Sequence, residues 1–153
     1  MALDQQNQIR LPFKKKQVQN EFLQQIMIVD DDYELLEELK DYLSFNYEVK
    51  TLFDSSHAFE IACELKPDLI IIDMKMSPKT GFQLANELRK SPETKLIPII
   101  AITGVYVEKE HELMMRLLGV DRIIIKPFDP DRFLEEIRGA LKIGKPRWFD
   151  GTY

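Results

Sequence analysis

Charged or hydroxyl side chains follow four of the five short apolar runs in this sequence. Each run is predicted to be a strand, because it precedes a segment in which apolar residues recur at helical spacing. The side chains are Asp30 and Asp31 after the first run, Asp73 after the third, Thr103 after the fourth and Lys126 after the fifth. The second run contributes nothing obvious. In an open parallel sheet, ligands bind beyond the carboxyl ends of the strands, so these five side chains are expected to converge.

The types of these residues indicate phosphoryl chemistry. Carboxylates that lie close together repel one another, and a cation relieves that repulsion. Oxygen ligands without a nearby histidine or cysteine favour Mg²⁺, or Mn²⁺ as a similar ion. A lysine and a threonine supply hydrogen-bond donors for phosphoryl oxygens, and a carboxylate between them and the metal can act as a nucleophile. The two histidines, His57 and His111, fall on predicted helix surfaces, where we expect no catalytic role.

Taken one at a time, these residues carry little information. An aspartate that follows a strand is common as a helix N-cap, and we expect Asp32 to fill that role for the first helix. A lone lysine or threonine is ordinary on any surface. The interpretation depends on all of the side chains occupying corresponding ends of predicted strands.

The apolar pattern predicts five strands that alternate with five helices over residues 25–143. The strands are predicted at 26–29, 48–52, 69–72, 97–102 and 123–125. Pro67 and Gly119 are expected to end the second and fourth helices, and Pro130 to begin the fifth after Asp129 as N-cap. Several strands are apolar on both faces, which indicates helices on both sides of a parallel sheet. The predicted fold class is α/β, doubly wound around a five-stranded parallel sheet.

Length and charge favour one acidic domain at 25–143 between two mildly basic tails at 1–24 and 144–153. The chain has 153 residues and a net charge of −5, which argues against direct binding of nucleic acid. Its single cysteine, Cys63, excludes an internal disulfide and fits a reducing compartment, so a cytoplasmic location is expected. The apolar runs are far shorter than the ~20 residues of a membrane helix. The polar first residues (MALDQQNQIR) lack the apolar core of a signal peptide.

The segments IMIVDDD, IIIDMKMSPKTG, IIAITG and GVDRIIIKPFDPDRFLEEI together resemble the receiver domain of two-component response regulators. The resemblance implies a flavodoxin-like fold with strand order 2-1-3-4-5. It also implies that Asp30 and Asp31, together with Asp73 and the main-chain carbonyl of Lys75, hold Mg²⁺. Asp73 is then the residue that accepts a phosphoryl group from a phosphohistidine.

The resemblance assigns the remaining side chains to the response that follows phosphorylation. Thr103 corresponds to the switch hydroxyl that closes on the phosphoryl group, and Lys126 to the lysine that contacts a phosphoryl oxygen. The bond between Lys126 and Pro127 is expected to be cis. The implied partner is a sensor histidine kinase or a phosphotransfer protein. The implied domain is a signalling switch that catalyses only its own phosphorylation and dephosphorylation, and the charges over 106–142 allow a homodimer.

The sequence departs from the family pattern at two places. Ile123 occupies the position on the fifth strand where receivers have an aromatic switch residue, which puts the usual threonine–aromatic coupling in doubt. Tyr106, three residues after the switch threonine, is a candidate substitute. In the loop after the phosphoacceptor, Ser77 displaces the expected proline, so Pro78 comes one residue late.

Two other functions compete with this interpretation. Asp30 and Asp32 also fit the DxD motif of haloacid dehalogenase-type phosphatases. In that motif, however, Glu34 stands where a threonine or valine usually follows, and Asp73 is left without a role. The second competitor is a receiver-like interaction module that never turns over phosphate. Ile123 and the shifted Pro78 keep this interpretation open, and the intact set of Asp73, Thr103 and Lys126 argues against it.

Overall fold

Five parallel strands form one sheet in the order β2-β1-β3-β4-β5, as predicted. The computed structural model describes residues 23–143, so the proposed tails lie outside the described residues except for residues 23 and 24. The strands are β1 (Gln25–Val29), β2 (Glu48–Leu52), β3 (Leu69–Asp73), β4 (Ile99–Thr103) and β5 (Arg122–Ile125). The helices are α1 (Tyr33–Leu43), α2 (Ala58–Leu65), α3 (Gly81–Lys90), α4 (Lys109–Leu117) and α5 (Pro130–Ile143).

Helices cover both faces of the sheet because the central strands are apolar on both sides. Every residue of β1, β3 and β4 is buried. Alternate residues of a strand face opposite sides, so Met27 and Ile70 pack with α2, α3 and α4, whereas Ile28 and Ile71 pack with α1 and α5. This arrangement confirms the doubly wound α/β fold and brings the carboxyl ends of all five strands to one edge.

The fourth strand begins later than the sequence predicts. It was expected at 97–102, but β4 starts at Ile99 and continues through Thr103. Pro98 has no N–H to donate to a neighbouring strand, although its carbonyl accepts a hydrogen bond from the N–H of Ile70 at 3.0 Å. The carbonyl of Ile97 accepts instead from the guanidinium of Arg89. The proline therefore marks the point where the strand can begin.

The helix ends follow the predicted signals. The carboxylate of Asp32 accepts from the N–H of Leu35 at 3.1 Å, which confirms it as the N-cap of α1. Helix α2 ends two residues before Pro67, and α5 begins at Pro130. Gly119 follows α4 with φ +80°, a conformation that L side chains rarely adopt. None of the helices within 23–143 combines the length and the apolar character needed to cross a bilayer.

Candidate functional site

The ends of β1 and β3 and the residue after β5 bring two carboxylates and an ammonium group together. Nζ of Lys126 donates a hydrogen bond to Oδ2 of Asp30 at 2.9 Å and lies 3.6 Å from Oδ2 of Asp73. Asp30 is 1% exposed and Asp73 is 6% exposed. The sheet order separates β5 from β1 by two strands, so only a long side chain can make this contact. The backbone N–H of Asp32 occupies the other oxygen of Asp30 at 2.9 Å.

Asp31 completes a group of carboxylates that suits a divalent cation. One carboxylate oxygen from each of Asp30, Asp31 and Asp73 lies within 4.8 Å of the others. Asp30 and Asp73 are buried and Asp31 is exposed, so the group has a solvent-facing side through which an ion can enter. Hard oxygen donors of this kind fit Mg²⁺ or Mn²⁺. Asp32 is exposed and its carboxylate caps α1, which counts against a DxD arrangement with Asp30.

Burial and like charge act on the phosphoacceptor candidate. The surroundings raise the pKa of Asp73 from its ordinary value of 3.8 to about 6, first through burial and then through the charge of Asp30, while Lys126 opposes the rise. Burial by itself lowers the pKa of Lys126, but its hydrogen bond with Asp30 and the nearby carboxylates outweigh burial and raise that pKa overall. Lys126 is therefore protonated at neutral pH, and a second cation would favour the ionised form of Asp73.

Lys75 and Thr103 lie beside this group in the chain and in the sheet. The N–H of Lys75 donates to Oδ1 of Asp73 at 3.4 Å, and the Lys75 side chain is exposed. Thr103 is fully buried at the end of β4, and its carbonyl accepts from the N–H of Lys126 at 2.8 Å. Its hydroxyl oxygen accepts from the N–H groups of Tyr106 at 2.8 Å and Val105 at 3.3 Å. These bonds hold the oxygen without using the hydroxyl proton.

The bond between Lys126 and Pro127 is cis, as the resemblance implies, and the bond between Ser77 and Pro78 is also cis. The second cis bond was not predicted. It falls in the loop after Asp73, where the proline stands one residue later than in the family pattern.

Tyr106, in the loop between β4 and α4, is partly buried. Its ring makes edge-to-face contacts with Phe82 of α3 and His111 of α4, both with centroids 5.1 Å apart. His111 is therefore half-buried, which corrects its predicted place on a helix surface. Ile123 is partly buried against the same core. An aromatic side chain thus joins the Thr103 loop to α3 and α4, although it comes from the loop and not from β5.

Sequence reasoning missed Ser55, in the loop after β2. Ser55 is fully buried, and its hydroxyl makes two hydrogen bonds to the backbone of Lys79 in the loop after β3. The second strand therefore does contribute a residue to this edge of the sheet. The letters FDSS after β2 are those of an ordinary turn or helix cap, so the sequence holds no signal that separates this serine from its neighbours.

Comparisons with known proteins agree with this fold. A family model described as the response regulator receiver domain matches residues 26–138. Regulatory protein VirG of Agrobacterium fabrum is 26% identical over 127 residues, which cover 82% of this chain and 49% of VirG. The polar-differentiation response regulator DivK of Brucella anthropi is 30% identical over 117 residues, which cover 76% of this chain and 94% of DivK.

A solved structure shares the fold. The receiver domain of a Pseudomonas aeruginosa sensor histidine kinase, which has a magnesium ion coordinated in its active site cleft, is 22% identical with a TM-score of 0.71. The match covers 78% of this chain and 98% of that domain. The chain spans about half the length of VirG, a curated relative that it matches. The family model covers most of the chain and both halves of the sheet, and the chain belongs to the response regulator receiver domain family.

Proposed function

We propose that this domain accepts a phosphoryl group on Asp73 from the phosphohistidine of a partner, in a reaction that depends on Mg²⁺. The observation that carries the proposal is the contact of Lys126 with both Asp30 and Asp73, next to the exposed carboxylate of Asp31. Asp73 is itself buried, but the neighbouring carboxylate of Asp31 is exposed to solvent. A phosphoryl donor can approach from that side.

The residues divide the work of transfer. Asp30, Asp31, Asp73 and the main-chain carbonyl of Lys75 would hold the ion, and Mg²⁺ or Mn²⁺ bound there supplies positive charge to the carboxylates and to the phosphoryl oxygens. A carboxylate oxygen of Asp73 attacks phosphorus, and the phosphorus–nitrogen bond to the donor histidine breaks. The leaving imidazole keeps the electron pair and takes a proton from solvent. Lys126 stabilises the negative charge on the phosphoryl oxygens during transfer.

The response follows from the hydroxyl of Thr103. In the unphosphorylated protein, the N–H groups of Tyr106 and Val105 donate to the hydroxyl oxygen of Thr103. When the hydroxyl donates its proton to a phosphoryl oxygen, the hydroxyl oxygen moves away from these two N–H groups. Tyr106 packs against His111 of α4, so the helix shifts with the loop. Tyr106 in this way takes the place of the aromatic residue that Ile123 replaces.

The face that responds is the proposed partner-binding surface within 106–142. Helix α4 exposes Leu113, Met114 and Leu117, with Leu117 79% exposed. Exposed apolar side chains grouped on one helix suit an interface that forms only in one state of the switch. We propose a second copy of this domain as the partner on this face, and a sensor histidine kinase or phosphotransfer protein as the partner at the Asp73 edge. The domain acts in the cytoplasm and catalyses only its own phosphorylation and dephosphorylation.

Acetyl phosphate, a small phosphodonor, tests the proposal. The wild-type protein is incubated with acetyl phosphate and Mg²⁺, and its intact mass is measured. One phosphoryl group is expected on the wild type, on Thr103→Ala and on Asp32→Asn, but not on Asp73→Asn, because only the last lacks the nucleophile. No added mass on the wild type, with no spectral change on adding beryllofluoride, would favour the interaction module. Phosphorylation that survives Asp73→Asn but is lost in Asp30→Asn would favour a phosphatase of the haloacid dehalogenase type.

A further inference from the structure

The loop that follows β2 is fastened to the loop that follows the phosphoacceptor. The hydroxyl of Ser55 donates a hydrogen bond to the carbonyl of Lys79 at 2.8 Å and accepts one from the N–H of Lys79 at 3.0 Å. Ser55 is fully buried, so these two bonds are made away from solvent. One hydroxyl thus satisfies both backbone polar groups of one residue across 24 positions of sequence.

The phosphoacceptor loop comprises residues 74–80, between β3 and α3. Its end next to α3 is held by several hydrogen bonds. Thr80 and Gln83 form a reciprocal capping box at the start of α3. The N–H of Gly81 donates to the carbonyl of Met74 at 3.1 Å and closes the loop on itself. A Cβ at Gly81 would stand 2.6 Å from the carbonyl oxygen of Asp73, so the loop returns directly against the strand that carries the phosphoacceptor.

At the end of the same loop next to β3, Met74 and Met76 are buried in the core and the N–H of Met74 donates to the carbonyl of Ile102 at 3.0 Å, but Lys75 between them has weaker support. The N–H of Lys75 approaches Oδ1 of Asp73 at 3.4 Å, which is long for a hydrogen bond, and the Lys75 side chain is exposed. Lys75 is therefore the residue at this end of the loop that a change elsewhere in the loop can move.

Nζ of Lys79 lies 2.8 Å from a carboxylate oxygen of Glu87 in α3. The backbone N–H and carbonyl of Lys79 are instead bonded to the hydroxyl of Ser55.

We propose that Ser55 is a positioning residue for the Asp73 site: by fixing the backbone of Lys79, it sets the loop that carries the Lys75 carbonyl toward the metal. The inference rests on the proposed function, because it concerns how well the same site binds its ion. A hydroxyl is required, since it is small and both donates and accepts. Removing it leaves the N–H and the carbonyl of Lys79 without these partners in a buried place.

Three variants separate positioning from plain stability. Ser55→Ala removes both bonds, Ser55→Thr keeps the hydroxyl, and Ser56→Ala is the matched control. Ser56 is the next residue in the same loop, but its hydroxyl acts on Asp54 within that loop and not on Lys79. For each protein we would measure the free energy of unfolding, amide hydrogen exchange without metal, and the Mg²⁺ dissociation constant by calorimetry at a temperature where all are folded.

Ser55→Ala is expected to speed exchange of the Lys79 amide in the metal-free protein and to raise the Mg²⁺ dissociation constant roughly tenfold, the size of effect seen when an outer partner of a metal ligand is removed. Ser55→Thr should restore metal affinity, and Ser56→Ala should match the wild type. A Ser55→Ala protein that is less stable but binds Mg²⁺ as the wild type does would overturn the inference and leave the proposed function standing. A wild type that binds no Mg²⁺ and accepts no phosphoryl group would instead overturn the proposed function.

Discussion

The Asp73 site and the α4 face are built in opposite ways, although only the loop after Thr103 separates β4 from α4. At the site, Asp30 and Asp73 are buried and paired with Lys126, and Asp30 is 1% exposed. On the face, α4 buries only Met115, while Leu113 and Leu117 are largely exposed. The site has the aspartates, the threonine and the lysine that the resemblance implies, although Pro78 comes one residue late in its loop, whereas β5 beside the face has Ile123 where receivers have an aromatic residue. Phosphoryl transfer needs fixed charges at fixed distances, but a partner face needs only to differ between two states.

Lys126→Met should produce the largest effect, because it removes the cation on which the site depends. We expect the rate of phosphorylation by acetyl phosphate to fall by about 100-fold or more. The free energy of unfolding at neutral pH should fall by about 2 kcal/mol, less than for a fully buried pair because the Lys126 side chain is 27% exposed. Stopped-flow kinetics and urea unfolding measure the two effects. Lys142→Met, on the exposed part of α5, is the control, and equal losses in both variants would contradict the role of Lys126.

The pH dependence of stability gives the next largest effect. In the metal-free protein the folded pKa of Asp73 is about 6 and its ordinary value is 3.8, so between these values the folded state holds more protons than the unfolded state. The contribution of Asp73 to the free energy of unfolding therefore falls as pH rises from about 4 to about 6, by up to about 3 kcal/mol. Above pH 6 the variant Asp73→Asn should be the more stable protein.

Denaturant unfolding of the wild type and of Asp73→Asn at a series of pH values, with a chelator present, isolates this contribution as the difference between the two curves. Parallel curves between pH 4 and pH 7 would show that Asp73 carries no raised pKa. Excess Mg²⁺ should raise the free energy of unfolding of the wild type at pH 7, because the ion relieves the repulsion among the carboxylates. The effect should be smaller in Asp73→Asn, which lacks one of these carboxylates.

Thr103→Ala tests whether the two regions are joined as proposed. The variant should accept a phosphoryl group at a rate within about tenfold of the wild type, because the nucleophile, the metal ligands and Lys126 remain. Amide chemical shifts of α4 should no longer respond to beryllofluoride with Mg²⁺, since the hydroxyl that moves the Tyr106 loop is gone. Thr103→Ser should restore the response. A full response in Thr103→Ala would separate the site from the face.

Leu117→Glu should have the smallest effect on the domain itself. Leu117 is 79% exposed, so the free energy of unfolding should change by less than about 0.5 kcal/mol. Self-association with beryllofluoride and Mg²⁺, measured by sedimentation velocity, should be lost. Phe45→Glu, just after α1 at a residue that is 89% exposed, is a control of similar character away from the α4 face and should leave association unchanged. Association lost in both variants, or in neither, would contradict a dimer through α4.

The sequence predicts the parts of the fold that depend on local rules. The alternation of buried strands with amphipathic helices indicates the doubly wound sheet. Because the carboxyl ends of parallel strands lie at one edge of the sheet, the sequence also predicts that Asp30 and Asp73 lie close together. Start and stop signals at Asp32 and Pro130 locate helix ends because capping is a short-range interaction. The early start assigned to the fourth strand is wrong, since hydropathy could not show that the strand begins only after Pro98.

The remaining features depend on contacts between distant segments. The edge-to-face contacts of Tyr106 with Phe82 and His111 join a loop to two helices, and no spacing along the chain predicts them. The bonds between Ser55 and Lys79 likewise link two loops whose sequences are those of ordinary turns. The raised pKa of Asp73 depends on how deeply the strand end is buried, which residue types alone do not determine.

Chemical mapping of the phosphorylated residue in the unaltered protein is the most direct test of the central claim. The protein is treated with acetyl phosphate and Mg²⁺, reduced with borohydride, digested and sequenced by tandem mass spectrometry. Reduction of an aspartyl phosphate leaves homoserine at the position that carried the phosphoryl group. We predict homoserine at position 73, and only when Mg²⁺ was present. Homoserine at position 30, or aspartate retained at every position, would contradict the assignment of Asp73 as the phosphoacceptor.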